Sequence, residues 1–246
     1  MLFRSQFPNL IAAESTRHGG ISPAPFASLN LGLNTDDDPE NVTENRHRFF
    51  ANLGPGYAES QVASSYQVHG TEILYATEPG RFSGYDALIT NQPGLFLAVS
   101  IADCVPILIY DADNQAVAAI HAGWRGTVGQ IVDKTLSEMK TRFNTQPAHC
   151  YAYVGTCIDE TSLEVGADVA EQFGEAFKDE AAGSGKWLVD LKSANARQLT
   201  DFGIPATQIE RSAYSTVLHN TDYFSHRHER GQTGRMLAVV GLKTID

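Results

Sequence analysis

Long apolar runs are missing from this sequence. No stretch approaches the roughly eighteen consecutive apolar residues that a membrane-spanning helix needs, so none is expected. The opening residues, 1–15, contain no extended apolar segment followed by a small-residue cleavage site, and no secretory leader is read there. Cysteine is scarce and odd in number: Cys104, Cys150 and Cys157 make no paired framework. They fit a reducing, cytoplasmic setting with free thiols or thiolate ligands. Basic residues are also short, with 18 Lys and Arg against 29 Asp and Glu, a net charge of −11. Such a surface repels phosphate backbones and anionic lipid, which argues against nucleic acid and membranes as partners. A small anionic substrate stays compatible only if arginines gather locally to offset that field. Repeats, low-complexity tracts and linker-like stretches are absent, so residues 1–246 are expected to form a single domain.

What the chain does contain is clustered strands with helices between them. Asp38 before Pro39 predicts a capped helix that Gly54 ends. Short apolar segments at 62–68, 71–76, 87–90, 95–100 and 105–110 read as strands. Asp113-Asn114 sits between 105–110 and 116–120 and predicts a hairpin turn. Residues 54–57 and 78–84 read as loops. Val128, Ile131, Val132, Leu136, Met139 and Phe143 recur at helical spacing and predict a helix over 127–143. Helices are also expected at 167–177 and 193–202, and a buried strand at 236–242. This order predicts an α+β fold, with mixed β-sheets and helices packed in layers, over a strictly alternating parallel fold.

Three segments carry chemistry: Tyr66-Gln67-Val68-His69-Gly70, Ala102-Asp103-Cys104-Val105-Pro106 and His121-Ala122-Gly123-Trp124-Arg125-Gly126. In each, a metal-ligand type stands at the edge of an apolar strand. A zinc finger pairs its ligands a few residues apart and fills four positions. Ligands drawn from three separate strand ends instead suggest three protein donors and an open fourth place, the catalytic arrangement. Read singly, His69 is equally a turn histidine bonded to backbone, and Cys104 a small buried hydrophobe. The Gly-Trp-Arg-Gly run implies a tight backbone that presents large side chains to a cleft.

These segments, together with Arg17-His18-Gly19-Gly20, Ser28-Leu29-Asn30-Leu31-Gly32, Asp37-Asp38-Pro39, Asn45-Arg46, Asp86-Ala87-Leu88 and Thr233-Gly234-Arg235, make the chain resemble the YfiH-like family. That family is also called the laccase-domain or purine nucleoside phosphorylase family. The resemblance runs over about residues 15 to 242. It implies a YfiH-like sandwich and a metal, usually zinc with copper as the other candidate, held by His69, Cys104 and His121. It implies a catalytic group of His69, Cys104, His121 and Arg125, with Asn30, Arg46, Gln67, Asp86, Asp103 and Arg227 lining or supporting a substrate pocket. The implied activity is phosphorolysis of adenosine, inosine and methylthioadenosine, with a side activity in adenosine deamination. The partners are then a nucleoside and phosphate; the oligomeric state is left open.

The chain departs from the family pattern in places. A family Gly-Pro-x-Ile-Gly-Pro segment is Gly155-Thr156-Cys157-Ile158-Asp159-Glu160, a family Tyr-Arg-Arg is His226-Arg227-His228, and a Cys before Thr216 is Ser215. These bear on the pocket more than on the metal. On a strand, His226 and His228 would share a face, as copper ligands can. Eight histidines in all leave too few for a trinuclear copper cluster plus a blue-copper site, so multicopper oxidase chemistry is not expected. Two other readings stay open. One is a hydrolase that edits peptidoglycan precursors, in a version of which Cys104 is the nucleophile and His121 its base. The other is a metal-binding module without catalysis.

Overall fold

The computed structural model describes residues 6–54 and 56–244. Residues 1–5 of the stretch read for a leader, and Pro55 of the 54–57 loop, lie outside them. In chain order the strands are β1 (Leu10–Glu14), β2 (Val62–Tyr66), β3 (Ile73–Tyr75), β4 (Gly80–Ser83), β5 (Ala87–Thr90), β6 (Phe96–Ile101) and β7 (Val105–Asp111). There follow β8 (Ala116–Ala122), β9 (Cys150–Val154), β10 (Glu164–Val165), β11 (Lys178–Ala181), β12 (Lys186–Val189), β13 (Ile209–Arg211) and β14 (Met236–Leu242). The helices are α1 (Pro39–Ala51), α2 (Trp124–Val128), α3 (Ile131–Phe143), α4 (Ala167–Ala170) and α5 (Leu191–Phe202).

Two sheets do most of the work. The first has the order β1-β14-β6-β2-β4 and the second β13-β9-β7-β8-β5-β3, each mixing parallel and antiparallel neighbours. Side chains alternate across a strand, so each sheet has two faces to cover. Leu97 and Val99 of β6 meet Leu108 and Tyr110 of β7 and Val117 and Ala119 of β8, which stacks the sheets face to face. On the far side of the first sheet, Phe96, Ala98 and Val239 pack on Phe49 and Phe50 of α1. On the far side of the second, Ile107, Ile109 and Ile120 pack on Val132, Leu136 and Met139 of α3 and Leu199 of α5. The layers therefore run helix, sheet, sheet, helices. This is the α+β architecture read from the sequence, and a small third sheet, β10-β12-β11, is added to it.

Local chemistry explains most element ends. The Asp38 carboxylate accepts from the Glu40 N–H at the start of α1, with Pro39 in the first turn. The Asp111 carboxylate accepts from the Asp113 and Asn114 N–H groups and closes the β7–β8 hairpin. Three expectations are corrected, and one hairpin was missed. The helix read over 127–143 is broken, because Gln130 takes a left-handed conformation (φ 60°) between α2 and α3. The helix read over 167–177 stops after one turn as α4, and a 3-10 turn at Glu175–Phe177 follows Gly174. Part of the 78–84 loop is an edge strand, β4, paired parallel to β2. The β11–β12 hairpin was not read at all, since β11 is charged and β12 offers only a three-residue apolar run, Trp187-Leu188-Val189.

Candidate metal centre and the cavity around it

Each ligand-type residue sits where its strand ends. His69 lies in the connection that leaves β2 of the first sheet for β3 of the second, and Cys104 in the turn that leaves β6 of the first for β7 of the second. His121 is on β8, opposite Pro106, in the row of Val117 and Ala119 that faces the first sheet. The fold thus brings together residues 35 and 17 positions apart. Among the described residues they form a group whose ligand atoms all lie within 4.8 Å of one another. Two backbone positions are forced to make this possible. His69 (φ 60°) and Asp103 (φ 89°) both adopt the left-handed region that non-glycine residues avoid, and such conformations concentrate at functional sites.

Asp86, fully buried just before β5, organises the group. Its Oδ1 accepts from the His69 N–H (3.0 Å) and lies 2.8 Å from His121 Nδ1; its Oδ2 accepts from the N–H of Gly70 (2.7 Å) and Val68 (3.1 Å). Burial alone would raise the Asp86 pKa, but the bonds from His121 and these backbone donors outweigh it and hold the carboxyl below its usual range. With Nδ1 committed to Asp86, His121 presents Nε2 to the site, the outer-shell arrangement typical of a ligating imidazole. Cys104 is tuned in the same way. Burial disfavours its thiolate, yet the neighbouring His121 charge and hydrogen bonds from His121 and His69 bring its pKa down to about 6. Burial likewise opposes the His121 charge, and the Cys104 thiolate and Asp86 overcome it, so His121 moves upward.

Gly123 explains part of the His-Ala-Gly-Trp-Arg-Gly run. A Cβ there would lie 3.0 Å from His69 Cδ2 and 3.2 Å from Cys104 Sγ, so a side chain would fill the cradle between the donors. One sulfur and two imidazole nitrogens of this kind suit zinc or copper far better than a hard cation. The residues fit a bound metal of this kind.

The group opens into a cavity of about 520 Å³. Of the residues read as substrate-side, Arg46, Gln67, Asp103 and Arg227 line it together with Arg125. Gln67 spans to Ser100, donating to its carbonyl (2.9 Å) and accepting from its N–H (2.7 Å), in the manner of a strand partner. Asp103 accepts from Thr216 Oγ1 and the Arg227 N–H, both at 2.6 Å, and so ties the Cys104 turn to the 225–230 segment. Arg125 stacks over Trp124, 4.4 Å from the ring centre. Asn30 and Asp86 are fully buried and do not line the cavity. The Asn30 Oδ1 accepts from the N–H of Gly32 and Arg235, so it shapes the wall through them. His226 lines the cavity, but 226–228 is a run of turns, not the strand on which two histidines would share a face.

Two cavity arginines escaped the sequence reading. Arg81 belongs to the segment taken as a loop. Arg235 ends the Thr233-Gly234-Arg235 run quoted for the resemblance, which was the available signal; in the fold it packs along Gly32, whose Cβ would lie 2.6 Å from Arg235 Cγ. Five arginines therefore line one cavity.

Comparison with known proteins agrees over nearly the whole chain. Residues 11–243 match the family described as multi-copper polyphenol oxidoreductase laccase. A purine nucleoside phosphorylase of Deinococcus radiodurans is 40% identical, covering 96% of this chain and 91% of that protein. Purine nucleoside phosphorylase YfiH of Escherichia coli is 36% identical, with 94% and 93% covered. The crystal structure of YlmD from Geobacillus stearothermophilus superposes with a TM-score of 0.91 at 34% identity, covering 97% of this chain and 93% of that one. A Bacillus licheniformis protein, YfiH, also gives 0.91, at 31% identity with 98% and 94% covered. The layered fold, the shared length and these identities lead to one assignment: the chain belongs to the YfiH/YlmD family of laccase-like domains.

Proposed function

We propose that this chain is a zinc-dependent purine nucleoside phosphorylase, a single domain of the cytoplasm that acts on adenosine, inosine and methylthioadenosine and deaminates adenosine as a side reaction. The observation that carries this reading is the charge of the cavity beside His69, Cys104 and His121. In a chain of net charge −11, five arginines line it; among the described residues Arg46 makes a salt bridge, Asp103 and Glu229 act on Arg235 through their charge, and Arg81, Arg125 and Arg227 make no salt bridge. Arginines left without acid partners in an acid-rich protein are suited to an anionic ligand. The names of the relatives supply the nucleoside.

In phosphorolysis a phosphate oxygen forms a bond to the anomeric carbon of the ribose while the bond to the purine nitrogen breaks. The protein has to bring a dianion against a neutral sugar and hold both in line. Arg46, Arg125 and Arg227 are the residues proposed to grip phosphate, each guanidinium being able to offer parallel N–H donors. Trp124 offers an aromatic wall for a purine, and Gln67 fixes the strand edge beneath it. His69, Cys104 and His121 would hold the zinc, which when bound supplies a Lewis acid to polarise a substrate heteroatom or acidify water. Asp86 keeps the His121 proton on Nδ1.

The test is chromatography of adenosine reactions with and without phosphate. Adenine is expected only with phosphate and inosine in both. Arg125→Ala should weaken phosphorolysis more than deamination, and Cys104→Ala should damage both. Neither product from zinc-loaded protein would sink the reading.

A second reading rests on one specific observation. Asp86, His121 and Cys104 stand in the order orienter, base and nucleophile that a cysteine hydrolase uses. Turnover of muramyl peptides with a trapped thioester on Cys104 would move that reading, and peptidoglycan editing, to the front. For multicopper oxidase chemistry, the described residues bring a single three-ligand group together.

A further inference from the structure

We infer that Arg81 on β4 joins Arg46 on α1 to make, within the cavity that both line, a seat for a phosphate dianion. Arg46 alone has an ordinary explanation. It is 3% exposed, pairs with Glu59 (2.5 Å) and donates to the Leu31 carbonyl (2.7 Å), as a buried structural arginine would. Arg81 does not. It is exposed at the cavity rim on β4, where a long side chain is free to turn to solvent or to one of the many surface acids. Instead its Nη2 donates to the neutral Asn34 Oδ1 at 2.6 Å, and Asn34 lines the same cavity.

That placement keeps two guanidiniums within electrostatic reach of each other. Burial already depresses the Arg46 pKa; Glu59 offsets this, and the like charge of Arg81 depresses it further. A like-charge pair facing a cavity costs free energy in the empty state, and a dianion between the two relieves it. Ser64, in register with Arg81 across the β2–β4 pairing and lining the cavity, adds a hydroxyl of the kind that phosphate oxygens accept from.

The ligand chemistry is a phosphate group. Its source is either free orthophosphate or the ester phosphate of a phosphorylated nucleoside, and only the second part of this choice depends on the nucleoside reading above. Titration calorimetry of the zinc-loaded protein with inorganic phosphate, and separately with adenosine 5′-monophosphate, tests it. Arg81→Gln is exposed enough to fold, which a melting curve verifies. It is expected to weaken one or both ligands by about tenfold or more, the scale of a lost charge-assisted pair. Arg81→Lys should recover part of the affinity, and Arg48→Gln, on the outer face of α1, should change neither ligand. Weaker orthophosphate identifies the co-substrate seat; weaker nucleotide with unchanged orthophosphate identifies a seat for a phosphorylated substrate. Wild-type protein that binds neither ligand, or Arg81→Gln that binds both as wild type does, overturns the proposal. Binding is read without turnover, so a protein that binds phosphate but releases no adenine would sink the nucleoside reading and leave the seat standing.

Discussion

Two carboxylates taken out of water, Asp86 just before β5 of the second sheet and Glu14 at the end of β1 of the first, meet opposite fates. Asp86 receives three backbone N–H bonds and faces the His121 ring, and it stays ionised with a depressed pKa. Glu14, at the end of β1, receives the Tyr153 hydroxyl (2.6 Å) and the Thr156 N–H (2.9 Å), with the Thr156 side chain and the Lys192 charge nearby. There burial outweighs all of these, and its pKa rises to about 6. The difference teaches that depth alone does not decide the charge state; an imidazole in direct contact, as at Asp86, outweighs burial where neutral donors and a lysine acting only through its charge, as at Glu14, do not. The thiols divide in the same way. Cys104, between two imidazoles, is pushed down to about 6, whereas burial, then Asp111 and Asp113, push Cys150 up to about 12.

The contrast can be broken most sharply at the thiols. In metal-free protein at pH 7, Cys104 is expected to react with iodoacetamide on the order of 100-fold or more faster than Cys150 or Cys157, because only the thiolate attacks, even though a low-pKa thiolate is the weaker nucleophile. Zinc should protect it, and mass spectrometry of the labelled peptides is the readout. Comparable labelling of all three cysteines would show that the imidazoles do not tune the site.

At the carboxylates, Asp86→Asn should be the costliest change. It leaves amide hydrogens facing N–H donors and frees the His121 ring. Zinc affinity should fall on the order of 10- to 100-fold and stability by roughly 3–5 kcal/mol, read by competition with a chelator and by denaturant unfolding. Full zinc content in this variant would mean that Asp86 does not orient His121.

For Glu14 the sign is reversed. Its folded pKa lies above the unfolded value, so the folded state binds more protons between about pH 4.5 and 6. Stability should therefore decline as pH rises through that window, by about 2 kcal/mol, and level off above it. Glu14→Gln should flatten this part of the profile. An unchanged slope in the variant would assign the pH dependence elsewhere.

Gly123→Ala is the smallest and most local probe. Its Cβ must displace His69 or Cys104 by tenths of an ångström, at about 1 kcal/mol of stability. Zinc binding should suffer proportionally more than folding. Equal losses would indicate a backbone effect rather than crowding of the donors.

The layered fold was largely legible because β5 to β8 and β14 are apolar runs bounded by turns, and their burial follows from hydropathy. The edge strand β4 and the short β11–β12 hairpin were illegible because their hydrogen bonds, not an extended side-chain pattern, define them. For the site, His69, Cys104, His121 and Arg125 could be picked out by residue type. Asp86 and Asn30 were found but their manner of acting was not, because a side chain that works through its neighbours' backbone leaves no spacing signature. Arg81 and Arg235 reach the cavity only through strand pairings between residues far apart in sequence.

One consequence follows from the two connections that carry His69 and Cys104 between the sheets. The donors are fixed to both layers at once, His121 belonging to the second sheet and the other two to the chain passing between layers. Any substitution that slides one layer over the other, however distant, must alter the donor spacing. Metal affinity is thus a strain gauge for the whole sandwich, and chelator competition across core variants would read out relative layer position without a new structure of each.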